Sequence, residues 1–253
     1  MILHHVEYGS GPAVVLLGSI ASTTDMWLPQ LDALSSGHRV IALDHRGHGL
    51  SPDPEVEPGE TTIDDLANDV LETLDSLDVT EFAVVGLSLG GALAQYLAAT
   101  SERVTRAAFL CTAAYFGGAD KWNPRAELTR AEGVAPMLEG VVGLWVTKGF
   151  RGALPATTDW YRAMISTTRG IGYAACSDAL AGWDFRERLS EITVPVLTLA
   201  GAEDESTPPA ALQTIADGVA GPATTVTVTP GAHVPTYEAA DQVNEALTAF
   251  LAG

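Results

Sequence analysis

Phe82-Ala83-Val84-Val85-Gly86-Leu87-Ser88-Leu89-Gly90-Gly91 decides the reading of this chain. An apolar, β-branched run enters a G-x-S-x-G turn, and the helix-forming stretch Leu89–Thr100 leaves it. A serine on so sharp a turn has a strained backbone, so the residues two before and two after it must be small. The turn exposes the Ser88 hydroxyl and aims the Leu89 backbone N–H at charge developing on an attacked carbonyl oxygen. The bland alternative is a glycine-lined turn carrying an idle serine, and the strand-before, helix-after context weighs against it.

A serine hydroxyl needs a base within hydrogen-bond reach. Of the six histidines, His4 and His5 fall in a first strand, His38 precedes another, and His45 and His48 lie in a turn-rich loop. Only His233 follows the last strand and precedes the last helix. That is its place when the chain order is serine, acid, histidine. The acid then belongs to Glu203-Asp204-Glu205 at the end of the strand around Leu197–Ala200. The spacing G-x-x-D from Gly201 favours Asp204, with its two neighbours left open. A second oxyanion donor is expected in the loop Gly18-Ser19-Ile20-Ala21 after an earlier strand, at the Ile20 N–H.

Outward from this turn, short apolar runs alternate with amphipathic ones. Strands are expected at Ile2–Tyr8, Ala13–Leu17, Val40–Leu43, Phe82–Val85, Ala107–Cys111, Val196–Ala200 and Thr224–Thr229. Helices are expected at Thr24–Leu34, Thr61–Leu77, Leu89–Thr100, Pro208–Val219 and Pro235–Leu251. The fold class is α/β: a mostly parallel, doubly wound sheet whose strands are buried on both faces. Strand signals stop from about Phe116 to Leu189, where amphipathic segments are broken by glycine and proline. The expected organisation is a core of 1–115 and 190–253 with a helical cap, 116–189, over the carboxyl ends of the strands.

The 253 residues are 47% hydrophobic, enough for a sizeable core. A net charge of −19 argues against a nucleic-acid partner, which calls for a basic footprint. The charge is unevenly spread. Residues 117–190 hold nine cations against eight anions, and the rest of the chain holds four against 24. The middle is therefore the part able to receive an anionic small molecule, unless it is simply a solvated surface of mixed charge. No apolar run approaches the roughly 18 residues of a membrane span. Met1-Ile2-Leu3-His4-His5 lacks a signal-peptide pattern, so a cytoplasmic location is expected. Cys111 and Cys176 read as buried thiols. No metal-ligand cluster or phosphate-binding glycine loop stands out, and no cofactor is expected.

With these residues placed, the chain resembles the 3-oxoadipate enol-lactonases of the α/β-hydrolase superfamily over nearly its whole length. Met26-Trp27 with Gln30, Asp44-His45-Arg46-Gly47-His48-Gly49-Leu50-Ser51 and the Ser88 turn are shared with many hydrolases. More specific are Thr112-Ala113-Ala114, Trp122-Asn123-Pro124-Arg125, Arg130-Ala131-Glu132-Gly133, Gly172-Tyr173-Ala174-Ala175-Cys176, Asp184-Phe185-Arg186 and Gly201-Ala202-Glu203-Asp204 with Thr207-Pro208-Pro209. Gly18-Ser19-Ile20 and His233-Val234-Pro235 depart from the family's pattern. The resemblance implies cofactor-free opening of an enol-lactone in aromatic catabolism by Ser88, His233 and Asp204 through an acyl-enzyme. Such a substrate keeps a free carboxylate. Arg125 is its expected main contact and Arg130 a second candidate, with Trp122 and Trp145 as pocket walls. Against this stands pairing of both arginines with acids such as Glu127 and Glu132. The competing functions are a lactonase or carboxylesterase for another small ester, and a ligand-binding protein that keeps the fold without turnover.

Overall fold

A computed structural model describes residues 1–253. Its sheet has seven strands: β1 (His5–Tyr8), β2 (Ala13–Leu17), β3 (Arg39–Leu43), β4 (Phe82–Leu87), β5 (Val104–Leu110), β6 (Val196–Gly201) and β7 (Ala223–Val228). They lie side by side in the order β1-β3-β2-β4-β5-β6-β7. Only β1 runs antiparallel, pairing with β3; every other pair is parallel. β4 and β6 are buried at every position, as continuous apolar runs require in a sheet covered on both faces.

The covering helices are α1 (Leu28–Leu34), α2 (Ile63–Ser76), α3 (Leu89–Thr100), then α4 (Ala119–Glu132), α5 (Leu138–Trp145), α6 (Lys148–Ala153), α7 (Pro155–Ser166) and α8 (Gly170–Ala181), and last α9 (Pro209–Gly218), α10 (Pro235–Glu238) and α11 (Ala240–Ala252). α2 shows why its start lies where it does. The Thr62 hydroxyl accepts from the Asp65 N–H while the Asp65 carboxylate accepts from the Thr62 N–H, so two otherwise unpaired amides are satisfied.

Four expected elements differ by more than two residues at one end or split in two, while most of the others shift by one or two residues. The first strand begins at His5 rather than Ile2, and β5 runs Val104–Leu110, leaving Cys111 outside it with φ +44°. The stretch Thr24–Leu34 splits into a 3-10 turn, Thr24–Trp27, and α1, with Pro29 in the first turn of α1. Pro235–Leu251 likewise breaks at Ala239, whose non-helical backbone (φ −124°, ψ 38°) separates α10 from α11.

The five helices α4–α8 lie between β5 and β6, and a bridge between Tyr115 and Asp184 closes the base of this insertion. α8 meets the loop after β3 so closely that a Cβ on Gly47 would lie 2.2 Å from the Gly172 Cα. The insertion also touches the loop after β7. The Leu144 and Trp145 carbonyls accept from the His233 and Val234 N–H groups, at 3.3 and 2.8 Å.

Strand register decides what meets at the carboxyl edge. Leu17 stands opposite Gly86, so the loop after β2 adjoins the turn after β4. Gly201 stands opposite Val228, which sets the loop after β6 beside the loop after β7.

Candidate active site

The turn after β4 holds Ser88 at φ 58°, ψ −113°. A non-glycine residue in such a sparse region costs about 1–3 kcal/mol. Three hydrogen bonds hold it there. Ser88 N donates to Leu110 O at 3.0 Å, and the Ser88 carbonyl accepts from Ala92 N at 3.0 Å and Thr112 Oγ1 at 2.7 Å. The flanking glycines are sterically required: a Cβ on Gly86 would lie 2.0 Å from Gly90 O, and one on Gly90 2.0 Å from Leu17 O.

His233 Nε2 lies 2.9 Å from Ser88 Oγ, and His233 Nδ1 lies 2.9 Å from Asp204 Oδ2. All three residues are buried. Asp204 Oδ1 accepts from the Ser206 and Thr207 N–H groups at 2.8 and 3.0 Å, and Oδ2 accepts from the Thr207 hydroxyl at 2.8 Å. Burial pushes this carboxyl's pKa up, but the His233 charge, the His233 hydrogen bond and the Thr207 contacts outweigh it. The net effect holds Asp204 below the ordinary carboxylate range. Glu203 and Glu205 are exposed, so within the acidic triplet only Asp204 meets the histidine.

Such an array can do nucleophilic chemistry. The histidine can accept the serine proton at Nε2 while the carboxylate keeps Nδ1 protonated and stabilises the imidazolium. The N–H groups of Ile20 and Leu89 have no partner within the protein, which leaves both free to donate. Leu89 is the first residue of α3, where the helix's own hydrogen bonds do not reach.

A cavity of about 220 Å³ opens over Ser88 and His233. The loop after β2 contributes Ser19 and Ile20, and the insertion contributes Phe116, Trp122, Val141, Trp145 and Tyr173 to its walls. Trp122 is fixed by its indole N–H, which donates to Phe116 O at 3.1 Å. Two cations, Lys121 and Arg125, also line it, and the Arg125 guanidinium lies 4.9 Å from the Trp122 ring centre. Partial desolvation and the nearby Arg125 charge lower the Lys121 pKa. Glu205 is the cavity's only carboxylate.

Of the site residues expected from sequence, Ser88, His233, Ile20, Trp122, Arg125 and Trp145 come together around this cavity, with Asp204 behind His233. Arg130 does not. It pairs with the buried carboxylate of Asp178 on α8 and is absent from the cavity wall. Helix geometry explains the separation. At about 100° per residue, positions 121, 122 and 125 share one face of α4, while 130 points elsewhere. The pairing of both arginines with Glu127 and Glu132 is also not what the structure holds: Arg130 takes Asp178, and Arg125 takes no carboxylate. Lys121, Phe116 and Tyr173 escaped the sequence reading. For Lys121 a signal existed, since it stands one helical turn before Arg125.

The two cysteines are far from nucleophilic. Burial, then the neighbouring Asp204 charge, raises the Cys111 thiol well above its ordinary value, and burial pushes Cys176 up to about 12.

Comparison with known proteins agrees with the fold. The family described as alpha/beta hydrolase fold matches residues 12–138. The chain is 32% identical to 3-oxoadipate enol-lactonase 2 of Acinetobacter baylyi over 252 residues, covering 98% of this chain and 92% of that one. Among solved structures it is similar to the enol-lactonase from Burkholderia xenovorans LB400, with 33% identity, a TM-score of 0.94, and 99% and 96% of the two chains covered. A thermophilic esterase from Thermogutta terrifontis is similar at 26% identity and a TM-score of 0.91, with 98% and 92% covered. The seven-stranded sheet, the serine turn and these likenesses agree: the chain belongs to the 3-oxoadipate enol-lactonase family of the α/β-hydrolase superfamily and is a hydrolase of carboxylic esters or lactones.

Proposed function

We propose that the protein opens 3-oxoadipate enol-lactone to 3-oxoadipate, with Ser88, His233 and Asp204 as catalytic triad and residues 116–189 as a cap that selects the substrate. The observation that carries the reading is the pair Lys121 and Arg125. In a chain with 32 acids, these two cations line the cavity over Ser88 with no carboxylate partner of their own. Eight of the eleven arginines are salt-bridged elsewhere. The anion that the pair lacks is the substrate's free carboxylate. A charge-assisted contact of this kind contributes about 1.5–3 kcal/mol.

In this reading Ser88 Oγ attacks the lactone carbonyl while its proton passes to His233 Nε2. The tetrahedral oxyanion rests on the Ile20 and Leu89 N–H groups. Collapse of that intermediate breaks the ring C–O bond and expels an enolate, a stable leaving group, which takes the proton from His233 Nε2 to become the enol and tautomerises to the ketone, leaving His233 neutral. Water, deprotonated by His233, then attacks the acyl-enzyme and releases the second carboxylate. Tyr173 and the two tryptophans hold the ring against the nucleophile, a positioning effect.

Turnover of enzymatically generated enol-lactone, followed by loss of its ultraviolet absorbance with Ser88→Ala as control, tests the reading. Rapid Ser88-dependent loss supports it. Ser88-dependent cleavage of simple aryl esters without lactone turnover moves the function to a general esterase. Failure of a fluorophosphonate probe to label Ser88 would point to a binding protein.

A further inference from the structure

The loop Asp44-His45-Arg46-Gly47-His48-Gly49-Leu50-Ser51 takes no part in the steps above, yet both of its histidines are buried, His48 completely. Their rings meet edge to face with centres 5.9 Å apart. His45 Nε2 lies 2.8 Å from Gly18 O, a pure acceptor, so that nitrogen carries the proton. His48 has the opposite arrangement. Its Nε2 lies 3.0 Å from the Ala21 N–H, a pure donor, so Nε2 is bare, and Nδ1–H donates to Arg46 O at 2.9 Å. Burial, then the neighbouring His45, lowers the His48 pKa to about 3, and burial also lowers that of His45, which favours the neutral form of both rings.

The two contacts bracket Ile20. One holds the carbonyl two residues before it, and the other holds the amide one residue after it. The Gly18 carbonyl also accepts from Gly90 N at 3.0 Å, which ties the same segment to the helix of the nucleophile turn. Ala21 sits at φ +69°, a left-handed conformation that alanine rarely adopts and that needs external support. The Asp44 carboxylate fastens the loop in turn, accepting from the Thr24 and Leu50 N–H groups at 2.7 and 3.0 Å.

We infer that His45 and His48 are positioning residues that clamp the Gly18–Ala21 segment, so that the Ile20 N–H points at the oxygen developing charge on the carbon bound to Ser88. The inference rests on Ile20 and Leu89 being the oxyanion donors. An oxyanion donor acts only when aimed at the position the oxygen takes in the transition state, so a clamp on its peptide planes acts on the rate rather than on substrate binding.

The test uses His48→Phe, which removes the acceptor for Ala21 N–H, and His48→Gln, whose side-chain carbonyl replaces it. Aryl-ester kinetics are read beside the affinity for phenylboronic acid, a tetrahedral mimic whose oxygen occupies the hole. The affinity for adipate, a ground-state ligand, is read in the same samples. Losing a donor costs up to about 10²–10³ in kcat, and misaiming one is expected to cost about ten- to a hundredfold. His48→Phe should lower kcat and boronate affinity together by that factor, leave KM and adipate affinity within about twofold, and be largely rescued by His48→Gln. Unchanged kcat in a folded His48→Phe protein overturns the clamp, as does an equal loss of boronate and adipate affinity. Should His48→Phe fail to fold, His45→Leu removes the contact to Gly18 O and must show the same split. Weak boronate binding by the unaltered enzyme would instead count against the oxyanion assignment itself.

Discussion

The floor and the roof of the cavity are built by different means. The floor comes from strand ends. Ser88, Asp204, His233 and the Ile20 loop all follow parallel strands of one sheet, so register and backbone hydrogen bonds bring them together. The roof comes from side chains on one face of α4, with Tyr173 from α8 and Trp145 from α5 beside them. A floor of this kind tolerates almost no adjustment: Gly86 and Gly90 leave no room even for a methyl group. A roof of side chains is free to differ without disturbing the sheet. The division teaches where to look for reaction and where for substrate.

The largest losses are expected from the floor. Ser88→Ala removes the proposed nucleophile and is expected to lower kcat on the order of 10⁶-fold on charged and neutral esters alike, read by single-turnover kinetics. Next comes Asp204→Asn. An amide leaves the His233 ring in place but favours the wrong tautomer, so kcat should fall on the order of 10⁴-fold with KM little changed. A KM effect larger than the kcat effect in that variant would contradict the role given to the carboxylate.

The roof supplies a sharper contrast, because the proposal gives two arginines on one helix opposite duties. Arg130→Met leaves the Asp178 carboxylate buried and short of its cation, and should cost about 1–3 kcal/mol of stability. Its kinetics on carboxylate-bearing and neutral esters should match those of the unaltered enzyme. Loss of charge selectivity in this variant would erase the distinction between Arg125 and Arg130.

A further expected effect concerns acid. The buried His48 refuses a proton until about pH 3, whereas the unfolded chain takes one up near 6.5. The folded pKa is the lower of the two. The stabilisation is therefore complete above about 6.5 and drains away as the pH falls toward 3. His45 acts in the same direction. Urea midpoints at pH 7, 5 and 4 should fall in that order, and less steeply in His48→Gln, which carries one titrating group fewer.

Much of the floor was legible because local rules decide it. Continuous apolar runs mark strands buried on both faces, and the helix after the nucleophile begins and ends at the expected Leu89 and Thr100. The spacing from Gly201 favoured Asp204 but left its neighbours open, and a local feature that the spacing did not use separates them. Ser206 and Thr207, two and three residues on, suit an Asx turn that holds this carboxylate and no other. The roof was less legible. Arg125 and Arg130 look equivalent in sequence, and only the turn of α4, with Pro124 inside it, sends one to the cavity and the other to Asp178. Tyr173 joins the α4 side chains at the cavity because α4 and α8 pack together, a contact between residues far apart in the chain that no local pattern announces. The paired histidines after β3 gave no sign of their partners either, since Gly18 and Ala21 reach them only through the pairing of β2 with β3.

The division between floor and roof is tested most directly by the ratio of kcat/KM for mono-(4-nitrophenyl) adipate to that for 4-nitrophenyl hexanoate. It should be measured in the unaltered enzyme, in Arg125→Met and in Lys121→Met. The two esters share a leaving group and a chain length and differ in the free carboxylate. The expected ratio is well above one and falls about tenfold or more in Arg125→Met, and in the same direction in Lys121→Met, with hexanoate turnover preserved. A ratio near one in the unaltered enzyme, or equal losses on both esters in the variants, would contradict the division.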